Sequence, residues 1–217
     1  MLVEPDWLSI RVYFNAAKKS ADVAEKSLVA ANRPWVKVDI QTAGPITYNV
    51  NGANFTLRFI LTNVGHSPAT HVWVNTRLVF PVVSMEADDH FNPRTEMLKD
   101  VAAMKKRGPS TLAYALFPGD TISQEVTVTM SQADIERATT LIKAIYPRVV
   151  GAVDYRMAFD SEAQDTGFII EFRRNDAPRE FTTVRKLAPQ AIWVEEGDVP
   201  ASDVRIFRSI IDGGFAD

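Results

Sequence analysis

At Pro34 the hydrophobic pattern of the chain changes period, and no single kind of element satisfies both halves. Upstream, Trp7, Ile10, Phe14, Ala17, Ala21, Ala24, Leu28 and Ala31 alternate steps of three and four residues. That spacing puts them on one heptad seam of a helix. Lys18, Lys19, Asp22, Glu25 and Lys26 lie off the seam. Asn32-Arg33-Pro34 stops the helix, because the proline ring disfavours helical geometry for the residue before it. The expected helix has about 20 residues or more, roughly 30 Å at ~1.5 Å per residue. Its seam packs on the chain's own sheet or meets a second copy as a coiled coil. Alanine holds four of the eight seam positions, so a contact made of this seam alone is weak at ~0.8 kcal/mol per buried CH₂.

From Trp35 onward the apolar residues alternate, beginning with Trp35, Val36, Lys37, Val38, Asp39 and Ile40, the period of a strand. Segments 46–50 and 54–63 read as a hairpin across Asn51-Gly52, a pair that tolerates the positive φ of a tight turn. Phe55, Leu57, Phe59 and Leu61 share one face, with Thr56, Arg58 and Thr62 on the other. Over 71–80, Val72, Val74, Leu78 and Phe80 point inward and His71, Trp73, Asn75 and Arg77 outward. Strands over 121–130, 148–157 and 167–173 bring the count to about seven. The pattern predicts a mainly β chain, an immunoglobulin-like antiparallel β-sandwich with a long N-terminal helix and two inserted helices. The first inserted helix opens at Asn92-Pro93 and closes on Lys105-Lys106-Arg107 before Gly108. The second opens at a capping-box-like Ser131-Gln132-Ala133-Asp134, carries Ile135, Ala138, Ile142 and Ile145, and ends before Pro147. A final short helix is expected over 202–212, stopped by Gly213-Gly214. The expected units are an amphipathic helix (1–33), the sandwich (34–175) and a C-terminal extension (176–217).

Composition narrows the chemistry. The 217 residues are 46% apolar and 24% charged with no cysteine, which excludes disorder, a disulfide scaffold, thiolate chemistry and Cys-ligated zinc while leaving the compartment open. A net charge of -3 supplies no electrostatic reason for nucleic acid as a partner. No stretch approaches the roughly 18 to 20 apolar residues that cross a bilayer, so the chain as given reads as soluble.

His66 and His71 flank the turn around Ser67-Pro68, and His90 follows Asp88-Asp89. A metal-dependent hydrolase built from these is the most chemical reading, but no His-x-x-x-His spacing sets two ligands on one side of a metal. Turn and surface histidines are the simpler account. Glu86, Asp88 and Asp89 lack the spacing of a calcium loop. With no nucleophile elbow, P-loop or Gly-x-Gly-x-x-Gly, no catalytic, cofactor-binding or metal residues are assigned and no enzyme is expected. Arg173, Arg174, Arg179, Arg185 and Lys186 attract an anion or lipid headgroup, or guard a sheet edge against unwanted pairing. The candidate contact surface is His71, Trp73, Asn75 and Arg77, since tryptophan and arginine dominate binding hot spots. The competing expectation is that the helix over 93–106 covers Trp73.

Four segments carry a resemblance: Ala31-Asn-Arg-Pro-Trp-Val36; Leu61-Thr-Asn-Val-Gly-His-Ser-Pro-Ala69 with Val72; Leu116-Phe-Pro-Gly119; and Gly151-Ala-Val-Asp-Tyr-Arg156. Together they resemble a group of uncharacterised bacterial proteins in which one or two membrane helices and an amphipathic helix precede an immunoglobulin-like β-domain. The Asn-x-Gly-x-x-Pro-Ala element is also similar to a strand turn of bacterial adhesion-related sandwich domains. The resemblance spans roughly residues 16–173 and implies a fold and membrane association of the full-length form, although no membrane segment stands in this sequence. The function expected is a non-enzymatic interaction or sensor domain that binds a protein partner or itself through the N-terminal helix. The alternative is a ligand-gated effector whose β-domain binds a small anionic molecule such as a nucleotide messenger, by architectural similarity to certain antiviral effectors.

Overall fold

The computed structural model describes residues 7–79, 113–139, 143–157, 163–175 and 190–208, with 95, 99, 102 and 103 between them. Helix α1 (Trp7–Asn32) runs 26 residues. The Asn32 side-chain amide donates to Leu28 O at 2.9 Å, and Pro34 then ends the helix. Every described side chain of α1, from Arg11 to Val29 with Ala31 and Asn32, is exposed. The expectation that the seam packs on the chain's own sheet is therefore corrected: the β-body closes its core without the helix. Among the described residues no helix is long and apolar enough to cross a membrane.

After Pro34 the chain is mainly β and antiparallel. Strands β1 (Val36–Asn49), β2 (Gly52–Asn63) and β5 (Thr121–Ser131) form one sheet, in the order β1-β2-β5. The second has the order β10-β8-β7-β3-β4. Its members are β3 (Ala69–Val79), β4 (Tyr114–Leu116), β7 (Arg148–Met157), β8 (Ala163–Arg174) and β10 (Val204–Arg208). A two-stranded ladder joins β6 (Ala144–Ile145) to β9 (Ile192–Trp193).

The alternating residues meet in one core. Phe55, Leu57, Phe59 and Leu61 from β2 pack in the same cluster as Val72, Val74, Val149, Val153, Phe168, Ile170 and Phe172 from the second sheet. Phe55 meets Phe172 edge-on with centroids 4.5 Å apart, and Phe59 meets Phe168 at 5.4 Å, the spacing at which aromatic pairs attract. The other face of the first sheet is polar: Arg58 pairs with Glu125 at 2.7 Å, and Thr56 and Thr62 hydrogen-bond to Thr127 and Thr121. The outer face of the second sheet departs from the half-wet pattern expected of it. There Val79, Val150 and Ile169 form a separate buried cluster, and Asp154, Asp165 and Glu171 are buried. Strand β7 is thus enclosed on both sides, which is why Val149-Val150-Gly151-Ala152-Val153 is almost unbroken in its apolar character.

Several boundaries move. The expected pair of segments over 35–40 and 46–50 is one strand, β1, with its register shifting between Thr42 and Ile46. Pro45 is tolerated because it falls inside that shift, where no ladder pair calls on its missing N–H. The hairpin loop is Val50-Asn51 rather than Asn51-Gly52: Asn49 pairs with Gly52, and the positive φ, 131°, falls on Gly52. A side chain there would strike Met130 O of β5.

The helix expected up to Pro147 is cut short. Helix α2 (Gln132–Ala138) is capped by Ser131, whose Oγ accepts from Asp134 N at 3.1 Å, and Thr139 ends it by donating its hydroxyl to Ile135 O at 2.7 Å. Ile145 belongs to β6, and Ile142 lies outside the described residues. For the helix over 93–106, residues 95, 99, 102 and 103 are helical and the rest lies outside the described residues.

Of the helix expected over 202–212, residues 202–208 instead belong to a short 3₁₀ turn, Ala201–Asp203, and to β10, while 209–212 lie outside the described residues. Val204 and Ile206 sit two apart, and the strand pairs with β8 from Arg174 to Ile170. The described part of 176–217 is therefore built into the body: Ala191, Ile192, Trp193, Val199 and Val204 are all buried. Val199 exchanges two backbone hydrogen bonds of 2.9 Å with Ile46.

Candidate functional site

Buried Asn63 ends β2 and organises the point where α1 leaves the body. Its side-chain amide donates to Ser67 O at 2.8 Å and Leu116 O at 2.9 Å, and its Oδ1 accepts from Gly65 N at 3.0 Å and Trp35 N at 3.4 Å. Its own backbone N–H donates to Asp120 O at 3.0 Å and its carbonyl accepts from Gly119 N at 2.8 Å. One side chain thus fills its whole hydrogen-bonding capacity. In doing so it ties together the α1–β1 junction, the β2–β3 turn and the β4–β5 turn.

Gly65 completes the joint because the junction passes directly over it. A Cβ on Gly65 would lie 2.4 Å from Trp35 N and 2.5 Å from Arg33 O, closer than packed atoms approach. Val64 N donates to Trp35 O at 2.8 Å, and the Arg33 guanidinium lies 3.7 Å above the Trp35 ring, within cation–π range. Tyr155 is fully buried in the core shared with Val36. Burial pushes its phenol up, opposed by the Arg33 charge. The Asn-x-Gly-x-x-Pro-Ala segment is visible in sequence as a turn. Its grip on residues 33–35 and 116–120 is not, because those partners are distant along the chain.

From this joint α1 projects with its seam uncovered. Phe14 and Leu28 of the seam are 69% and 66% exposed. Six of the ten large apolar side chains exposed among the described residues lie on α1: Val12, Tyr13, Phe14, Val23, Leu28 and Val29. Two of the remaining four, Val64 and Phe117, stand on the turns that meet at Asn63. The apolar exposure is thus concentrated on one element.

The row named from sequence lies on β3 in the second sheet. Trp73 is opposite Asp154, Asn75 opposite Ala152 and Arg77 opposite Val150. His71 sits in the register shift between Thr70 and Trp73 with φ of 55°, its Nδ1 3.3 Å from Thr70 Oγ1. His71 and Arg77 are exposed, while Trp73 and Asn75 are half-buried. The residues expected to cover Trp73 lie mostly outside the described set.

His66 is exposed in the turn; Glu86, Asp88, Asp89 and His90 lie outside the described residues. Among the described residues no group of three or more His, Asp or Glu side chains is placed to hold a metal ion. The basic residues expected to draw an anion are engaged by carboxylates instead. Arg173 and Arg148 both reach Glu171, at 2.5 and 3.0 Å, and Arg174 pairs with Glu196 and, at 3.8 Å, Asp203. Arg179, Arg185 and Lys186 lie outside the described residues. Set against known protein families, curated proteins and solved structures, the chain matches none.

Proposed function

We propose that the protein is a non-enzymatic interaction module: an immunoglobulin-like β-sandwich that holds an amphipathic helix clear of its body so that copies of the chain associate through it. The observation that carries this reading is the uncovered seam of α1 on a fully hydrogen-bonded joint. Helices in proteins draw most of their stability from packing an amphipathic face, and α1 has no acidic residue in its first turn and no basic residue in its last to complement its dipole. Covering the seam supplies the missing stability. The immunoglobulin-like assignment is supported by strand order: β1-β2-β5 corresponds to strands A, B and E, and β4-β3-β7-β8 to C′, C, F and G. The two inserted segments then fall between β3 and β4 and between β5 and β7. Placement beside a membrane follows from the resemblance in layout, with the row His71, Trp73, Asn75 and Arg77 left for a protein partner. The anion-gated alternative draws less support, because Arg148, Arg173 and Arg174 already face carboxylates.

Sedimentation equilibrium of the full chain over a concentration series tests the reading. Wild type is expected to exceed the monomer mass as concentration rises, and Phe14→Asp to stay monomeric with an unchanged Tm. A wild-type chain that stays monomeric throughout overturns it.

A further inference from the structure

The arrangement of side chains along α1 points to the geometry of the assembly: two copies pair antiparallel, centred near position 19. This rests on the self-association reading and adds to it an orientation and a register. In that register Phe14 faces Ala24 of the second copy and Ala17 faces Ala21, each contact occurring twice by symmetry. Large Phe14 is set against small Ala24, the condition for interdigitation, Ile10 falls opposite Leu28 in the outer layers, and the four central alanines let the helices approach closely between them. A parallel, in-register pair stacks Phe14 on Phe14 and Leu28 on Leu28, with three successive alanine layers between them. The two helices cannot be both wide and narrow over so short a span, and the middle of that pair is left underpacked.

Charges flanking the seam select the same orientation. The antiparallel register sets exposed Arg11 beside Glu25 of the other copy, twice. Lys18 then meets its own counterpart, with Asp22 one turn away in the same helix. In the parallel pair the positions inside Trp7–Asn32 that face across the seam are Tyr13 with Lys18, Ser20 with Glu25 and Ser27 with Asn32, none of them an ion pair; Arg11 there faces Asp6, which lies outside the described residues. Charges at these positions set partner orientation.

The chain has no cysteine, so single spin labels can be placed cleanly on it at Ser20→Cys and Ser27→Cys. The antiparallel pair gives a short intermolecular distance at position 20, where the two copies are offset by only ~3 Å along the axis. At position 27 it gives a long one, offset by ~24 Å at 1.5 Å per residue. Glu25→Arg should weaken association several-fold and Arg11→Glu combined with Glu25→Arg should restore it. Equal short distances at both positions in a chain that does associate overturn the orientation while leaving self-association standing. No intermolecular distance at either position, in a sample that sedimentation shows to be monomeric, overturns both.

Discussion

Asn63 and Gly65 carry different kinds of necessity. Asn63→Ala leaves four backbone groups, those of Trp35, Gly65, Ser67 and Leu116, without their partner. It is expected to cost about 2–4 kcal/mol in a urea titration, because unpaired buried groups lose their solvation without compensation. Gly65→Ala should cost at least as much, since the atoms it strikes are backbone rather than the yielding end of a side chain. Tyr48 gives a pH signature. Burial, and secondarily the Asp198 carboxylate, pushes its phenol up to about 12 from 10.0. The unfolded chain therefore ionises this tyrosine first, so the stability it contributes is complete below pH 10 and drains away as pH rises toward 12, by roughly 2–3 kcal/mol. The Tyr48 hydroxyl is buried with no hydrogen-bond partner among the described residues. Tyr48→Phe should consequently be neutral or stabilising at pH 7 and should flatten the fall in unfolding free energy between pH 10 and 12.

At the scale of elements, the helix and the C-terminal strand have opposite relations to the body. Substitutions on the exposed seam of α1, such as Leu28→Asp, should leave the Tm of the body in place. Ile192→Ala in β9, fully buried, should lower stability by about 2–5 kcal/mol as core truncations do, measured by thermal or chemical unfolding. The elements legible in sequence were those with a long, clean period: α1 with eight seam residues, β2 with Phe55 to Leu61, and β7 with its continuous apolar run. Those that were not legible are short or interrupted. Val204-Arg205-Ile206-Phe207 is too brief to separate a strand from a helical turn, and its pairing partner β8 is some thirty residues upstream. The second insertion carried helical spacing through Ile145, yet Thr139 turns its hydroxyl back on Ile135 and closes the helix a turn and a half earlier. β1 hid as two segments because Ala43-Gly44-Pro45 breaks the alternation while the strand shifts register and continues.

Taken as a whole, the described residues form a body of antiparallel sheets with the β2–β3 and β4–β5 turns meeting at the root of one exposed helix. The seam of α1 was readable from its spacing alone. That the helix stands away from the sheets was not, because the same seven-residue repeat serves a sheet or a second helix equally well, and only the closed core decides between them. In the row on β3, His71 and Arg77 are exposed and Trp73 and Asn75 half-buried, and the burial of Val79, Val150 and Ile169 beside it depends on pairings across three strands that alternation within one strand does not encode. The joint at Asn63 fixes where the helix starts relative to both sheets.

Amide hydrogen exchange across α1, followed as protein concentration is raised, tests the central claim most directly. Protection of the amides between positions 14 and 28 should grow with concentration while that of β2 and β7 stays constant. Exchange in α1 that is equally fast, or equally slow, at every concentration contradicts a helix that is completed by a second copy of the chain.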